Sequence, residues 1–346
     1  MRANLGTYSI MITTHDTLLQ AFRRVHHSVR EALLIACEEL PFEQLSGEAT
    51  LAAGDTVYAI DRIAERAYLE AITQEIASLV SVVVIGEGLP AGEIVLPLGS
   101  QRSDAQWIVI TDPIDGTRGL MFQKRPAWVV TGITRNRGSA TSLADIEVAV
   151  QTELPLVKQY LCDEFWAIRG EGAQGERWNR MAGVSEPLTL QPSTVSEVTH
   201  GFGTVCSFFA GGREVLGKIA DELSHRLLQG TDLAEARIFE DQYASTAGQL
   251  AGLFQGQDRF VIDLRPLLAP WLREHGKPLP HCCHPYDLSA KLIADEAGVV
   301  LSNPKGGQLD APLDTETPVA WVGYANPRLR EMIEPVLIDV IRDILG

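Results

Sequence analysis

The stretch that most narrows what this chain can become is Trp107-Ile108-Val109-Ile110-Thr111-Asp112-Pro113-Ile114-Asp115-Gly116-Thr117. Its apolar, β-branched opening reads as a buried strand, and Pro113 and Gly116 break that strand into a tight turn. Asp112 and Asp115 stand three residues apart within the turn. Pro113 fixes one backbone angle and removes one donor, which leaves the Ile114 carbonyl to point with the two acids. Gly116 permits close backbone approach, and its amide and that of Thr117 can face an anion. Two carboxylates and a carbonyl make an all-oxygen set suited to Mg²⁺ or Mn²⁺ rather than zinc.

With 346 residues the chain can bury a large core, as two domains or one large α/β unit. Apolar residues at 45% and charged residues at 21% are ordinary for a soluble globular protein. A formal charge of −16 argues against a nucleic acid polymer as partner, because a phosphate backbone calls for clustered Lys and Arg. The five cysteines, Cys37, Cys162, Cys206, Cys282 and Cys283, are odd in number and irregularly spaced, which argues against a disulfide framework. Met1–Leu19 lacks the apolar core of a signal peptide, and no run of about 18 apolar residues occurs, so no membrane contact and a cytoplasmic location are expected.

Residues 16–39 read as an amphipathic helix with Leu18, Phe22, Val25, Val29 and Leu33 on one face; His26 and His27 take surface or core-edge places in it. A second helix runs from Ile60 to about Val80, with Asp61 at its start, where a carboxylate favours the helix dipole. Val82–Ile85 reads as a short buried strand leading into Gly86-Glu87-Gly88. Val129–Ile133, Ile146–Val150 and Phe165–Ile168 read as an antiparallel meander, and Gly170–Ala173 as a turn. A polar, proline-bearing stretch at 180–197 marks the boundary between an N-terminal half, 1–190, and a C-terminal half, 191–346. Beyond it come a strand at 198–209, a helix at 215–228, a strand at 236–239, a helix opening at Ser245-Thr246, and a strand ending at Asp263. Residues 264–283 form a proline-rich insertion close enough in sequence to the site to cover a ligand. His281-Cys282-Cys283-His284 lacks the two-residue spacing of a zinc knuckle and reads as a packed segment. A helix is expected from Pro285-Tyr286-Asp287 to Gly298, then strands at 299–301 and 319–324 and a C-terminal helix.

Asp112-Pro113-Ile114-Asp115-Gly116-Thr117 resembles the signature of the inositol monophosphatase family, Mg²⁺-dependent, lithium-sensitive phosphatases related to fructose-1,6-bisphosphatase. Other pieces of the family pattern follow in order over residues 16–335. The segment Asp55-Thr56-Val57-Tyr58-Ala59-Ile60-Asp61 is similar to the family's Asp-x-Val-Thr-x-x-Asp, with Tyr58 in place of Thr. Glu87 matches the first acid of a Gly-Glu-Glu motif, and Gly88 replaces the second, with Glu93 in the next loop as a candidate substitute. Ser245-Thr246-Ala247 resembles the Gly-Thr-Ala helix start that meets substrate, although Ser245 also reads as an ordinary N-cap. Asp263 falls at a substrate-binding carboxylate, and Tyr286-Asp287 with Glu296-Ala297-Gly298 resembles the third motif, although Asp287 also reads as a helix cap.

The resemblance implies an α+β fold, a layered α-β-α-β-α sandwich, often assembled as a homodimer. It implies two or three Mg²⁺ ions, or Mn²⁺, on Glu87, Asp112, Asp115, Asp287 and the Ile114 carbonyl, with lithium inhibition. It further implies that Asp61 and Thr117 direct the attacking water, and that Gly116, Thr117, Ser245, Thr246 and Asp263 hold a small phosphorylated substrate. Arg118-Gly119 is closer to the bisphosphate nucleotidase branch, and Arg125-Pro126 with Trp128 resembles the histidinol-phosphatase branch, so the substrate stays open. Two other readings stand beside this one: a catalytically impaired relative that binds metal and phosphate, and a structural Ca²⁺ site.

Overall fold

The structure is a computed structural model that describes residues 14–52, 55–228, 237–278 and 280–346. The N-terminal stretch 1–13, on which the signal-peptide reading rests, and Ala236 lie outside the described residues, as does the side chain of Asp55. Helix α1 (His15–Glu39) is capped by Thr14, whose hydroxyl oxygen accepts from Thr17 N, and it buries Leu18, Phe22, Val25, Val29 and Leu33. A short helix α2 (Phe42–Leu45) and a hairpin of β1 (Glu48–Ala52) and β2 (Asp55–Tyr58) lead into α3 (Ala59–Glu75). The second helix therefore ends some five residues before Val80, and residues up to Leu79 form turns. His26 sits in the core, not at its edge. Its ring nitrogens lie 2.8 Å from Thr131 Oγ1 and 3.0 Å from Thr152 Oγ1, and burial lowers its pKa to about 3, so the ring is neutral.

The larger sheet contains β3 (Val82–Gly86), β4 (Glu93–Leu96), β5 (Trp107–Asp115), β6 (Ala127–Arg135), β7 (Val148–Leu154), β8 (Leu161–Ile168), β9 (Ala173–Asn179) and β10 (Val184–Pro187). Its spatial order is β10-β9-β8-β7-β6-β5-β3-β4, and β6, β7 and β8 form the expected antiparallel meander. Between β5 and β6 lies the short helix α4 (Thr117–Met121).

The chain then builds a second sheet, β12-β11-β13-β15-β14, from β11 (Gly201–Val205), β12 (Ile238–Phe239), β13 (Asp258–Asp263), β14 (Val300–Ser302) and β15 (Trp321–Tyr324). Its helices are α5 (Arg213–Leu227), α6 (Thr246–Phe254), α7 (Ala269–Glu274), α8 (Lys291–Ala297) and α9 (Pro327–Leu345). The strand expected over 198–209 is shorter because the Arg213 guanidinium gathers the carbonyls of Ser207, Phe208 and Phe209 and curls that segment into a loop. The helix expected from Pro285 begins only at Lys291. Residues 284–291 form successive three-residue turns instead, with the Asp287 carboxylate accepting from His284 N at 2.6 Å.

The layers are α1 and α3, the large sheet, α6 with α8, the smaller sheet, and α5 with α9, an α+β sandwich of five layers. One apolar cluster, with Phe22, Tyr68, Val84 and Trp107, seals α1 and α3 to the first sheet. A second, with Ile110, Phe165, Leu250, Ile262 and Trp321, fills the space around the middle helices. Both faces of the large sheet are thus covered, which explains why β5 is buried along its whole length.

Candidate active site

The site forms where β5 ends. Pairing with β6 runs regularly to Asp112↔Val130 and resumes at Asp115↔Trp128, so β5 carries one extra residue, a bulge. Pro113 has no N–H to give a ladder, and a bulge is where a strand tolerates it. The sequence suggested that the strand stops at Pro113; it continues through Asp115, and the bulge turns both acids to one side. Ile114 N donates to Asp112 Oδ1 at 2.9 Å, closing the small loop.

Parallel pairing of β3 with β5 sets Gly86 opposite Thr111, so Glu87 emerges beside Asp112. The fourth acid arrives from the other half of the chain: the turns at 284–291 dock on β6, where a Cβ on Gly132 would stand 2.5 Å from the Ser289 carbonyl. That close approach brings Asp287 in. One carboxylate oxygen from each of Asp112, Asp115 and Asp287 lies within 4.8 Å of the others, at 4%, 8% and 6% exposure.

Burial pushes the Asp115 carboxyl up to about 6, against hydrogen bonds to Ala247 N and Ser245 and the attraction of Arg265. Burial raises Asp112 and Asp287 further still, reinforced by the neighbouring carboxylates, Glu87 among them. Crowded, buried carboxylates of this kind are stable as anions only beside cations. The donor set is all oxygen, the choice of a hard divalent cation, and so it fits Mg²⁺ or Mn²⁺.

Helix α6 holds one of these acids. Asp115 Oδ2 accepts from Ser245 Oγ at 2.9 Å and from Ala247 N at 2.6 Å, at the positive end of the helix. Ser245 also accepts from Gly248 N at 2.9 Å, so it is both the N-cap and a clamp on Asp115. At the other flank, Thr117 Oγ1 lies 2.7 Å from Asp61 Oδ1 and 3.0 Å from the Ile114 carbonyl, and can donate to either. Asp61 is fixed by its second oxygen, which accepts from Tyr58 N at 2.7 Å at the start of α3.

A cavity of about 60 Å³ joins Glu87, Asp112, Ile114, Asp115, Gly116, Thr117, Ser245, Thr246 and Asp287. An adjoining space of about 40 Å³ reaches Asp61. Asp263 is not part of that lining. It is fully buried, and its carboxylate takes Arg265 Nε at 2.9 Å and a terminal guanidinium nitrogen at 2.6 Å. Asp263, expected at a substrate-binding position, holds Arg265 here, and Arg265 is the one of the two that lines the cavity. Sequence reading missed Arg265, Phe208, Phe209 and His281 here; the Asp-x-Arg spacing on a strand end was the available signal for Arg265. The 264–283 insertion thus touches the site at both of its ends, through Arg265 and through His281, Cys282 and Cys283. The two thiols point to carbonyls of Pro280 and His284.

Arg118 lines the acid cavity, whereas Arg125, Pro126 and Trp128 line a different cleft of about 740 Å³ beside α6. Arg125 there pairs with Asp241 at 2.6 Å. The larger cleft holds none of the four acids Glu87, Asp112, Asp115 and Asp287, all of which line the smaller one.

Solved structures share this fold. The extragenic suppressor protein suhB from Bartonella henselae superposes with a TM-score of 0.64 at 16% identity, over 92% of this chain and 98% of that one. The Leishmania major fructose-1,6-bisphosphatase gives 0.67 at 14% identity over 99% of both chains. The Thermotoga maritima IMPase gives 0.59 at 17% identity over 96% of this chain and 98% of that one. No curated protein sequence matches the chain closely. The sequence pattern of the inositol monophosphatase family matches residues 19–334, and the chain belongs to that family.

Proposed function

We propose that the protein is a Mg²⁺-dependent phosphatase that hydrolyses a small phosphate monoester. The observation that carries this reading is the convergence of Asp112, Asp115 and Asp287 next to the hydrogen-bonded pair Thr117–Asp61. Glu87, Asp112, Asp115, Asp287 and the Ile114 carbonyl would hold the cations. Two or three Mg²⁺ ions, or Mn²⁺, held there would supply charge neutralisation at the phosphate and a more acidic water. Thr117 donates to Asp61 and keeps its lone pairs for a water proton, so Asp61 serves as acceptor through the Thr117 hydroxyl. The Gly116 and Thr117 amides steady phosphate oxygens as charge builds on them. Thr246 and Arg265 face the same cavity and bind substrate oxygens, while Ser245 keeps Asp115 ionised and aimed.

The cavity takes a phosphate group and its cations but little more, so the organic part of the substrate lies at the mouth, near Arg118, Phe208 and Phe209. Relatives named for inositol monophosphate and fructose 1,6-bisphosphate act on small polyol or sugar esters, which suits such a mouth. The reading includes halves at 1–190 and 191–346 that meet at the site, and a homodimer in the cytoplasm. Among the described residues no helix is long and apolar enough to cross a membrane.

The test is phosphate release with Mg²⁺ from inositol, sugar, nucleotide and histidinol phosphates. Turnover of one class, lost in Asp112→Asn, supports the reading. Silence across all four, with Mg²⁺ and phosphate still bound, favours the catalytically impaired relative.

A further inference from the structure

Position 88 is a glycine where the family resemblance leads one to expect a second acid after Glu87. Gly88 has φ +75°, a conformation that side chains rarely adopt, and a Cβ built there would fall 1.9 Å from Glu65 Oε1. The space beside position 88 is already filled, and a carboxylate fills it. Glu65 lies one turn after Asp61 on the same face of α3. It shares the 40 Å³ space with Asp61, Glu87, Asp112, Ile114 and Thr117. Its side chain is 12% exposed, and its Oε2 meets the Arg62 guanidinium at 2.8 Å.

The geometry points to Glu65 as the acid that position 88 lacks: reaching in from helix α3, it completes the oxygen set for a second divalent cation, directly or through that cation's water, on the Asp61–Thr117 side of the site. The inference rests on the proposed metal-dependent function. It explains two features together. Gly88 suits its positive φ and leaves the Glu65 carboxylate in place, where a side chain at 88 would push it aside, and a largely buried acid stands beside other acids where an apolar residue would pack without repulsion. Glu93 does not take this part. It lies on β4 opposite Ile85, pairs with Arg102 and is absent from the cavity lining. A space of about 40 Å³ is more than the roughly 10–15 Å³ a cavity needs to hold one water, so a cation or a bound water has room.

The competing account makes Glu65 merely the partner of Arg62 on the helix surface. Mn²⁺ titration of the full chain, followed by electron paramagnetic resonance and calorimetry, separates the two without any assay of turnover. Glu65→Gln, with Glu65→Ala as the second variant, should leave the tighter Mn²⁺ in place and weaken the second at least tenfold, with unchanged far-UV circular dichroism. Glu93→Gln should match the wild type. Wild-type affinity for every ion in both Glu65 variants, with Mn²⁺ lost in Asp112→Asn, would overturn this inference alone. Undiminished Mn²⁺ binding in Asp112→Asn would overturn the proposed function and this inference with it.

Discussion

Replacing one buried acid by its amide should stabilise the metal-free protein while destroying its chemistry. Asp112 is the sharpest case. It faces Glu87, Asp115 and Asp287 from a position 4% exposed. Asp115, which has compensating bonds from Ser245 and Ala247, is still lifted from 3.8 to about 6. Two pH units correspond to about 3 kcal/mol between protonation states, and Asp112 is burdened at least as heavily. In Asp112→Asn the side-chain amide keeps an oxygen for Ile114 N and loses the charge. Metal-free Asp112→Asn should therefore be more stable than metal-free wild type at pH 7.5 by on the order of 2–3 kcal/mol, or about 3–4 °C in Tm. The advantage has a pH signature. A carboxyl raised in the native state holds its proton to higher pH than in the unfolded chain, so its contribution to wild-type stability is fully present below about 4 and is lost as pH rises through about 6. The gap between variant and wild type should shrink as pH falls through that window. Mg²⁺ should raise the wild-type Tm and leave the variant unmoved. Scanning calorimetry at several pH values, with and without Mg²⁺, measures all of this. A metal-free variant less stable than wild type, or one stabilised equally by Mg²⁺, would refute the argument from crowded carboxylates.

Thr117→Val keeps the shape of the side chain but removes the hydroxyl between Asp61 and the Ile114 carbonyl; kcat should fall roughly 100-fold or more while Mn²⁺ affinity by calorimetry stays within about threefold. Ser245→Ala removes the cap of α6 and a bond to Asp115, so urea unfolding should show a loss of about 1 kcal/mol and Mg²⁺ should bind less tightly. Asp263→Asn leaves the Arg265 charge buried with an incomplete partner and should cost about 3–5 kcal/mol in urea, whereas a substrate-contacting carboxylate would show its loss in KM with stability kept.

The central strand, its two acids and the meander were legible because periodicity, Pro and Gly are local signals, and the layered architecture followed from the family resemblance those signals carried. The approach of Asp287 was foreseen as an association, but its physical cause was not: it depends on Gly132 and Ser289, which nothing in sequence ties together. The pairing of Asp263 with Arg265 is not legible in the sequence, because a carboxylate at a strand end looks the same whether it faces a ligand or an arginine two residues on. The helix expected at Pro285 started late because local turns, closed by the Asp287 side chain, won over propensity. Gly88 reads in the sequence as the loss of an acid; that the Glu65 carboxylate on α3 stands beside it is a contact between separate elements that no window of sequence displays.

The most direct test of the account is a crystal soaked in Mn²⁺ and examined by anomalous diffraction. Strong peaks should stand among Glu87, Asp112, Asp115 and Asp287, with oxygen distances of about 2.0–2.3 Å. Anomalous peaks elsewhere on the protein, with none between these carboxylates, would contradict it.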